Sequence, residues 1–315
     1  MKQPFSILVD IVGVCNLHCP SCPRGRYVHS TGSPMKLDFF RALMEKAKRE
    51  TYVTGVSLFN WTDSLLHPEV ARFIECAKRE SNVPVRLSTN LNCAAHLDAL
   101  SLCPPDKIIV SVSGFTQETY RQTHKGGDIE EVKINLCRLS NCIRWDGWGT
   151  KVDVAWHRYA TNLAEEYPMR EFVGRLGFRF VPCNAIYMPM ESVVGMERTY
   201  TNETINRLYE HPADGIAKRS HIHFKYCALR ENNLAIDSQG MVGLCCATWS
   251  GPRWDYLTTP LAEIQRKKSL EELCSRCQNT GALAYASGHD GSLRRRLIDY
   301  AYNKPILRRL LPQIW

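Results

Sequence analysis

Three cysteines follow the first apolar run of this chain in the order Cys15-Asn-Leu-His-Cys19-Pro-Ser-Cys22. No other feature restricts the fold and chemistry as much. Phe5 to Val14 is rich in Ile and Val, as a buried parallel strand is, with Asp10 inside the run. A cysteine loop after such a strand sits where α/β folds keep their sites, beyond the carboxyl ends of the strands. Thiolates are the usual ligands of iron–sulfur clusters, and a closed cubane takes four. Three close cysteines with no local fourth suggest a cubane with one iron left open for a substrate or cofactor, by the logic of a catalytic zinc site. The competing reading is structural zinc or unrelated thiols, although zinc sites more usually pair cysteines as C-x2-C.

Fourteen cysteines in 315 residues need a compartment. No stretch approaches 18 consecutive apolar residues, and the N-terminus lacks the long uncharged core of a signal peptide. The chain therefore reads as a cytoplasmic protein, where clustered cysteines more often mean metal than disulfides. A net charge of +8 is spread along the sequence and decides neither nucleic acid nor an anionic substrate. It concentrates only from Leu293 to Trp315, a basic amphipathic stretch interrupted by Pro305 and Pro312. That stretch suits a solvated helix, or peripheral contact with a membrane surface, an acidic carrier or a partner.

Strand-like and helix-like segments alternate through the first two thirds. Phe5 to Val14, Val53 to Phe59, Val83 to Ser88, Lys107 to Ser113, Lys151 to His157 and Arg179 to Cys183 read as strands. Leu37, Phe40, Leu43, Met44 and Ala47 recur at helical spacing, and Val70 to Arg79, Gln117 to Thr123, Ile129 to Cys142 and Ala164 to Leu176 read as helices. The fold class expected is α/β, a partial (β/α)6 barrel, though an open doubly wound sheet gives the same pattern. From about Pro189 the periodicity weakens and cysteines return. The expected division is a core at 1–191, a small cysteine-bearing domain at 192–285, and the basic tail at 286–315.

The cysteine run after the first strand resembles the signature of the radical S-adenosylmethionine (radical SAM) superfamily. The resemblance implies that Cys15, Cys19 and Cys22 bind a [4Fe-4S] cluster and that SAM chelates its open iron. Reductive cleavage of SAM then gives a 5′-deoxyadenosyl radical, which takes a hydrogen atom from the substrate. The cofactor carries the hard chemistry, and the protein supplies orientation. An external electron donor such as flavodoxin or ferredoxin is implied.

Other segments resemble the family's SAM contacts. Asn60-Trp61-Thr62-Asp63-Ser64-Leu65-Leu66-His67-Pro68 stands where the family has Gly-Gly-Glu-Pro, with Trp61 and Thr62 for the glycines, Asp63 for the acid and Ser64 for the proline. By resemblance Asp63, or a main-chain acceptor beside it, holds the SAM amino group. Ser88-Thr89-Asn90 resembles the family's Ser-Thr-Asn near the ribose and methionine carboxylate, and Ser111 and Ser113 match typical ribose or carboxylate contacts. Arg121 is a candidate carboxylate contact. Asn162 and Glu165 follow the fifth strand where adenosine contacts often lie. Their structural reading is a helix cap and a solvated face; for Ser111 and Ser113 it is strand-end hydroxyls.

A second set, Cys227, Cys245, Cys274 and Cys277, resembles the SPASM and twitch extensions of the family, which hold an auxiliary [4Fe-4S] cluster around a hairpin. Leu234 to Leu244, with Asp237, Gln239 and Gly240, looks like that hairpin. No cysteine follows Cys277, so the twitch form is the nearer resemblance. Four thiolates would equally hold zinc. Cys246 is the candidate catalytic thiol, returning hydrogen to a substrate radical in an epimerisation, or else a small buried apolar residue. Cys183 is a second candidate for that role. Cys76, Cys93, Cys103, Cys137 and Cys142 read as core or surface thiols. His67, His157, His223, Tyr187 and Glu191 are candidate substrate contacts.

The expected function is radical hydrogen abstraction leading to epimerisation or dehydrogenation of a sugar-like or other small polar substrate. A ribosomally made peptide is the main alternative substrate. Only 14 residues precede Cys15, too few for the leader-binding domain that peptide-modifying relatives often carry. A non-catalytic zinc or nucleic-acid-binding protein is the alternative of another class.

Overall fold

The computed structural model describes residues 2–27, 33–222, 224 and 226–288. His223 and the basic tail from residue 289 onward lie outside the described residues. Six strands form one sheet in chain order: β1 (Pro4–Val9), β2 (Tyr52–Ser57), β3 (Val85–Thr89), β4 (Lys107–Val112), β5 (Lys151–Arg158) and β6 (Arg179–Asn184). Every neighbouring pair among them is parallel. The architecture is the α/β one expected, six parallel strands with crossovers, and all six expected strands are present within a few residues of their bounds.

Leu37–Glu50 crosses from β1 to β2 and buries Phe40, Leu43, Met44 and Ala47, one stripe at i, i+3, i+4 and i+7. Val70–Ser81 crosses to β3, and its Phe73 ring lies 5.1 Å from that of Phe40. Gln117–Thr123 and Ile129–Trp145 lie between β4 and β5, each started by a side-chain cap. Thr116 accepts from Thr119, and Asp128 accepts from Glu130 and Glu131. Glu166–Arg175 crosses from β5 to β6. Between β3 and β4 there is only the short 3-10 turn Asp98–Leu102.

The chain returns to the same sheet after β6. β7 (Asn233–Ile236) pairs in parallel with β1, Ser6 opposite Asn233 and Val9 opposite Ile236. β8 (Met241–Val242) and β9 (Trp254–Asp255) follow antiparallel and complete a nine-stranded sheet. The hairpin expected over Leu234 to Leu244 is β7–β8. Its turn is tied by Asp237, whose carboxylate accepts from Gln239 and Met241. Gly240 has φ +83, and a Cβ there would meet the Phe39 ring at 2.6 Å, so the turn requires glycine. Leu234, Ile236, Val242, Tyr256 and Ile264 share one hydrophobic core with Phe5, Ile7 and Phe40. The expected boundary at Ser192 falls in the 3-10 turn Met190–Ser192. No helix among the described residues is long and apolar enough to cross a membrane.

Candidate active site and cysteine centres

β1 delivers the first cysteine loop to the carboxyl end of the sheet. Cys22 caps the short helix Pro23–Arg26, and its N–H donates to the Cys19 carbonyl at 3.1 Å. Gly25 packs against the Cys19 backbone so closely that any Cβ would collide with it. Burial pushes all three thiols up, Cys15 to about 11, and their mutual repulsion adds at Cys15 and Cys19. A cluster that takes them as thiolates removes that protonation cost, because ligands bind deprotonated. The three cysteines line one cavity of about 950 Å³, together with Asp63, Ser88, Asn90 and Ser111 from the ends of β2, β3 and β4. A donor set of three thiols opening onto a space of this size fits an open-iron cluster with a small-molecule ligand.

Asp10, at the end of β1, organises the loop after β2. Its carboxylate is buried and accepts the N–H groups of Asn60 at 2.8 Å, Trp61 at 3.0 Å and Thr62 at 3.1 Å, and the Thr62 hydroxyl at 2.6 Å. Desolvation still leaves its pKa above the ordinary value. An aspartate inside an otherwise apolar strand was the signal for this role, which sequence reasoning missed. Asp63 accepts from Leu65 N at 3.0 Å, Thr89 Oγ1 at 2.9 Å and Asn90 N at 2.9 Å, clamping the β2 loop to the β3 loop. Burial raises its carboxyl to about 6. Asn90 carries the chain of contacts on to the cysteines: its Nδ2 donates to Asn16 Oδ1 at 2.8 Å and lies 3.8 Å from Cys15 Sγ.

Several other candidates do not line this cavity. Ser113 is fully buried, and its hydroxyl meets Thr123 and, at 2.6 Å, His124 Nδ1. Its partner Ser111, two residues back on the same strand face, is the one that lines the cavity. Asn162 is 0% exposed because its amide is fully used: Oδ1 accepts from Tyr159 N, and Nδ2 donates to the Ser113 and His157 carbonyls. Glu165 accepts from Phe115, Thr116 and Thr119 and so caps the neighbouring helix. Arg121 is exposed. His67 is tied to Met35 O and Glu69 N, each at 3.0 Å. Tyr187 lies under the Arg26 guanidinium at 4.0 Å. Glu191 holds the Trp249 and Ser250 N–H groups.

The far wall carries a pair. His157 on β5 and Cys183 on β6 are register partners that both line the cavity, and the Cys183 thiol donates to the Trp156 carbonyl at 3.6 Å. Burial alone would push His157 down and Cys183 up. The interaction of the two groups reverses both shifts, leaving the imidazole raised and the thiol lowered. His124, stacked on Tyr120 at 4.7 Å, is pushed down to about 3 by burial and by the nearby His157. It is neutral at pH 7.

The second cysteine set also comes together. Cys227, Cys245, Cys274 and Cys277 line one small apolar pocket with Met190, Leu244, Ala247, Leu273 and Leu283. Burial and the charge of Cys245 push Cys227 up to about 12. Cys246 lines neither this pocket nor the large cavity among the described residues. With its amide oriented to satisfy both atoms, Asn60 donates to the Cys246 carbonyl at 3.1 Å. Among the described residues no group of three His, Cys, Asp or Glu side chains closes around a single ion. A cubane spreads its ligands over four irons and asks for a wider arrangement.

Residues 9–145 match the family model described as Radical SAM superfamily. Among solved structures, Streptococcus suis SuiB bound to precursor peptide SuiA is similar, with a TM-score of 0.60 and 13% identity over 84% of this chain and 65% of that one. This chain therefore spans just under two thirds of SuiB. Native anSMEcpe with bound AdoMet gives a TM-score of 0.56 and 15% identity over 95% of this chain and 100% of that one. The same protein with AdoMet and Cp18Cys peptide gives 0.55 and 14%, over 96% and 99%. At these identities the likeness is one of fold. No curated protein matches the chain.

Proposed function

We propose that this chain, with its radical SAM superfamily domain at residues 9–145, is an enzyme that cleaves SAM reductively and dehydrogenates a small polar, sugar-like substrate. The observation that carries the reading is the convergence of Cys15, Cys19 and Cys22 with Asp63, Ser88, Asn90 and Ser111 on one cavity. Bound there, a [4Fe-4S] cluster and SAM supply the radical that takes hydrogen from the substrate, and an auxiliary [4Fe-4S] cluster on Cys227, Cys245, Cys274 and Cys277 supplies an electron sink. Asp10 fixes the loop that receives the SAM amino group, and Asp63 and Asn90 tie that loop to the cysteines. Arg158, Asn184, Glu210 and Arg219 give the outer cavity polar groups of both signs, which suits a hydroxyl-rich ligand.

Dehydrogenation needs an acceptor for a proton as well as for an electron. The adjacent His157 and Cys183, with the thiol lowered and the imidazole raised, are suited to take that proton at the cavity wall. Epimerisation instead needs a thiol beside the substrate radical. Cys246 lies off the cavity, so Cys183 is the residue that would serve. A peptide substrate is the second reading, supported by the peptides bound to SuiB and anSMEcpe. An external flavodoxin- or ferredoxin-type donor, a cytoplasmic setting and a twitch-like role for 192–285 belong to the same proposal.

The test is anaerobic reconstitution with iron and sulfide counted, and SAM cleavage measured in wild type and Cys22→Ala. The expected result is about eight irons per chain for two cubanes, with 5′-deoxyadenosine formed by wild type alone. Zinc in place of iron, or iron without SAM cleavage under reductant, would move the structural-metal reading to the front.

A further inference from the structure

The helix Leu261–Ser269 buries a cation that no hydrogen-bond acceptor among the described residues meets. It is the Nζ of Lys268, a residue that is 0% exposed. Gln265, one turn earlier, buries both amide atoms in the same condition. The other buried lysine, Lys46, shows how this fold treats an ammonium that it accommodates by itself. Its Nζ donates to Thr259 O at 3.0 Å and Leu257 O at 3.4 Å, and pairs with Glu50 at 3.4 Å. A buried charge left without partner or counter-ion is strongly unfavourable, so its retention calls for an explanation.

The groups whose charges act on Lys268 are Cys245, Cys274 and Cys246, and then Glu231. Glu231 is already paired with Arg230. What remains facing Lys268 is therefore the cysteine set, two members of which, Cys245 and Cys274, line the four-cysteine pocket. Burial disfavours the charged form of this ammonium, and negative charge on the neighbouring cysteines favours it.

We propose that Lys268 is the internal counter-charge of an iron–sulfur centre on Cys227, Cys245, Cys274 and Cys277, and that it raises the reduction potential of that centre. The inference rests on the auxiliary-cluster reading above. Four thiolates on a cubane leave a net negative charge, and an added electron increases it. A fixed cation in a low-dielectric interior stabilises the more negative state more strongly, which moves the potential upward. Lys268 thus makes the centre a better electron acceptor without being one of its ligands.

The experiment uses the full chain carrying Cys15→Ala, Cys19→Ala and Cys22→Ala, so that only the second centre is loaded. Iron is counted, and the centre is titrated electrochemically with EPR detection, in this parent and with Lys268→Met or Lys268→Arg added. Lys268→Met should keep its iron and shift to a more negative potential, and Lys268→Arg should stay close to the parent. In the metal-free chain Lys268→Met should melt higher, since it removes an orphaned charge; this readout also shows that the variant folds. Loss of iron from Lys268→Met but not from Lys268→Arg supports the same role. An unchanged potential in iron-loaded Lys268→Met overturns the proposal and leaves the auxiliary cluster standing. A parent that takes up zinc or no iron overturns the auxiliary-cluster reading, and the proposal with it.

Discussion

The carboxylate of Asp10 accepts the hydroxyl of Thr62 at 2.6 Å, and the loop after β2 is held to the end of β1 through that carboxylate. Asp10→Ala removes the acceptor of this hydroxyl and of three backbone N–H groups in the interior. The expected loss is about 3–5 kcal/mol of stability, read by urea denaturation, with SAM binding abolished in equilibrium dialysis. Asp10→Asn keeps the shape and one acceptor, and should fall between the two. Unaltered SAM affinity in Asp10→Ala would remove this loop from the cofactor site.

Asn90 joins the loop after β3 to the cysteine loop through Asn16. Asn90→Ala should weaken SAM binding by about tenfold or more, the equivalent of one good hydrogen bond to a charged or oriented partner. The iron content should stay that of wild type. A fall in iron with no change in SAM affinity would assign Asn90 to the cluster alone.

His124 predicts an acid-side loss of stability. Its pKa is about 3 folded against about 6.5 unfolded, so the folded state binds fewer protons between these values. Its neutral-state contribution is complete above about pH 6.5 and falls as the pH drops toward 3. At pH 5 the loss is about 2 kcal/mol. His157 has a raised pKa and works in the opposite direction. The informative quantity is therefore the difference between wild type and His124→Gln at each pH, from denaturation of the metal-free chain. A constant difference from pH 7 to pH 5 would contradict the burial argument.

Cys183 and Cys246 should separate cleanly. Cys183→Ala removes one member of the cavity pair and should lower product formation by about 10²-fold or more, with SAM affinity unchanged and the acid limb of the pH–rate profile displaced. Cys246→Ala should change turnover by less than about twofold. Turnover in deuterated water adds a second readout. Deuterium at the substrate carbon marks hydrogen return from a thiol, and a product two hydrogens lighter marks dehydrogenation.

Much of this was legible from spacing alone, because periodicity reports burial directly. Gln117–Thr123 has the bounds expected of it, and the six strands follow their apolar runs. The convergence of Cys15 with Ser88 and Asn90 follows once the strands are known to be parallel and in order. What escaped was the orientation of side chains at strand ends. Ser111 and Ser113 look alike in sequence, yet only Ser111 lines the cavity, while Ser113 is held by Thr123 and His124 from the next helix. Asn162 reads as a helix cap or an adenosine contact; it does stand at the N-cap of the turn Leu163–Glu165, but its side chain staples the end of β4 to β5. Cys246 was attractive because it adjoins Cys245, but adjacency along the chain does not fix which way a thiol faces. The His157–Cys183 pair depends on the β5–β6 register, which no local pattern contains.

The pairing of Ser6 with Asn233 has a consequence for biosynthesis. β7 emerges from the ribosome more than two hundred residues after β1. Until then the strand that carries the cysteine loop has one open edge, with Ile7 and Val9 belonging to the final core. Contacts of such sequence separation form slowly. The edge of β1 beside the cysteine loop is therefore closed late, by the hairpin that follows it in the sheet.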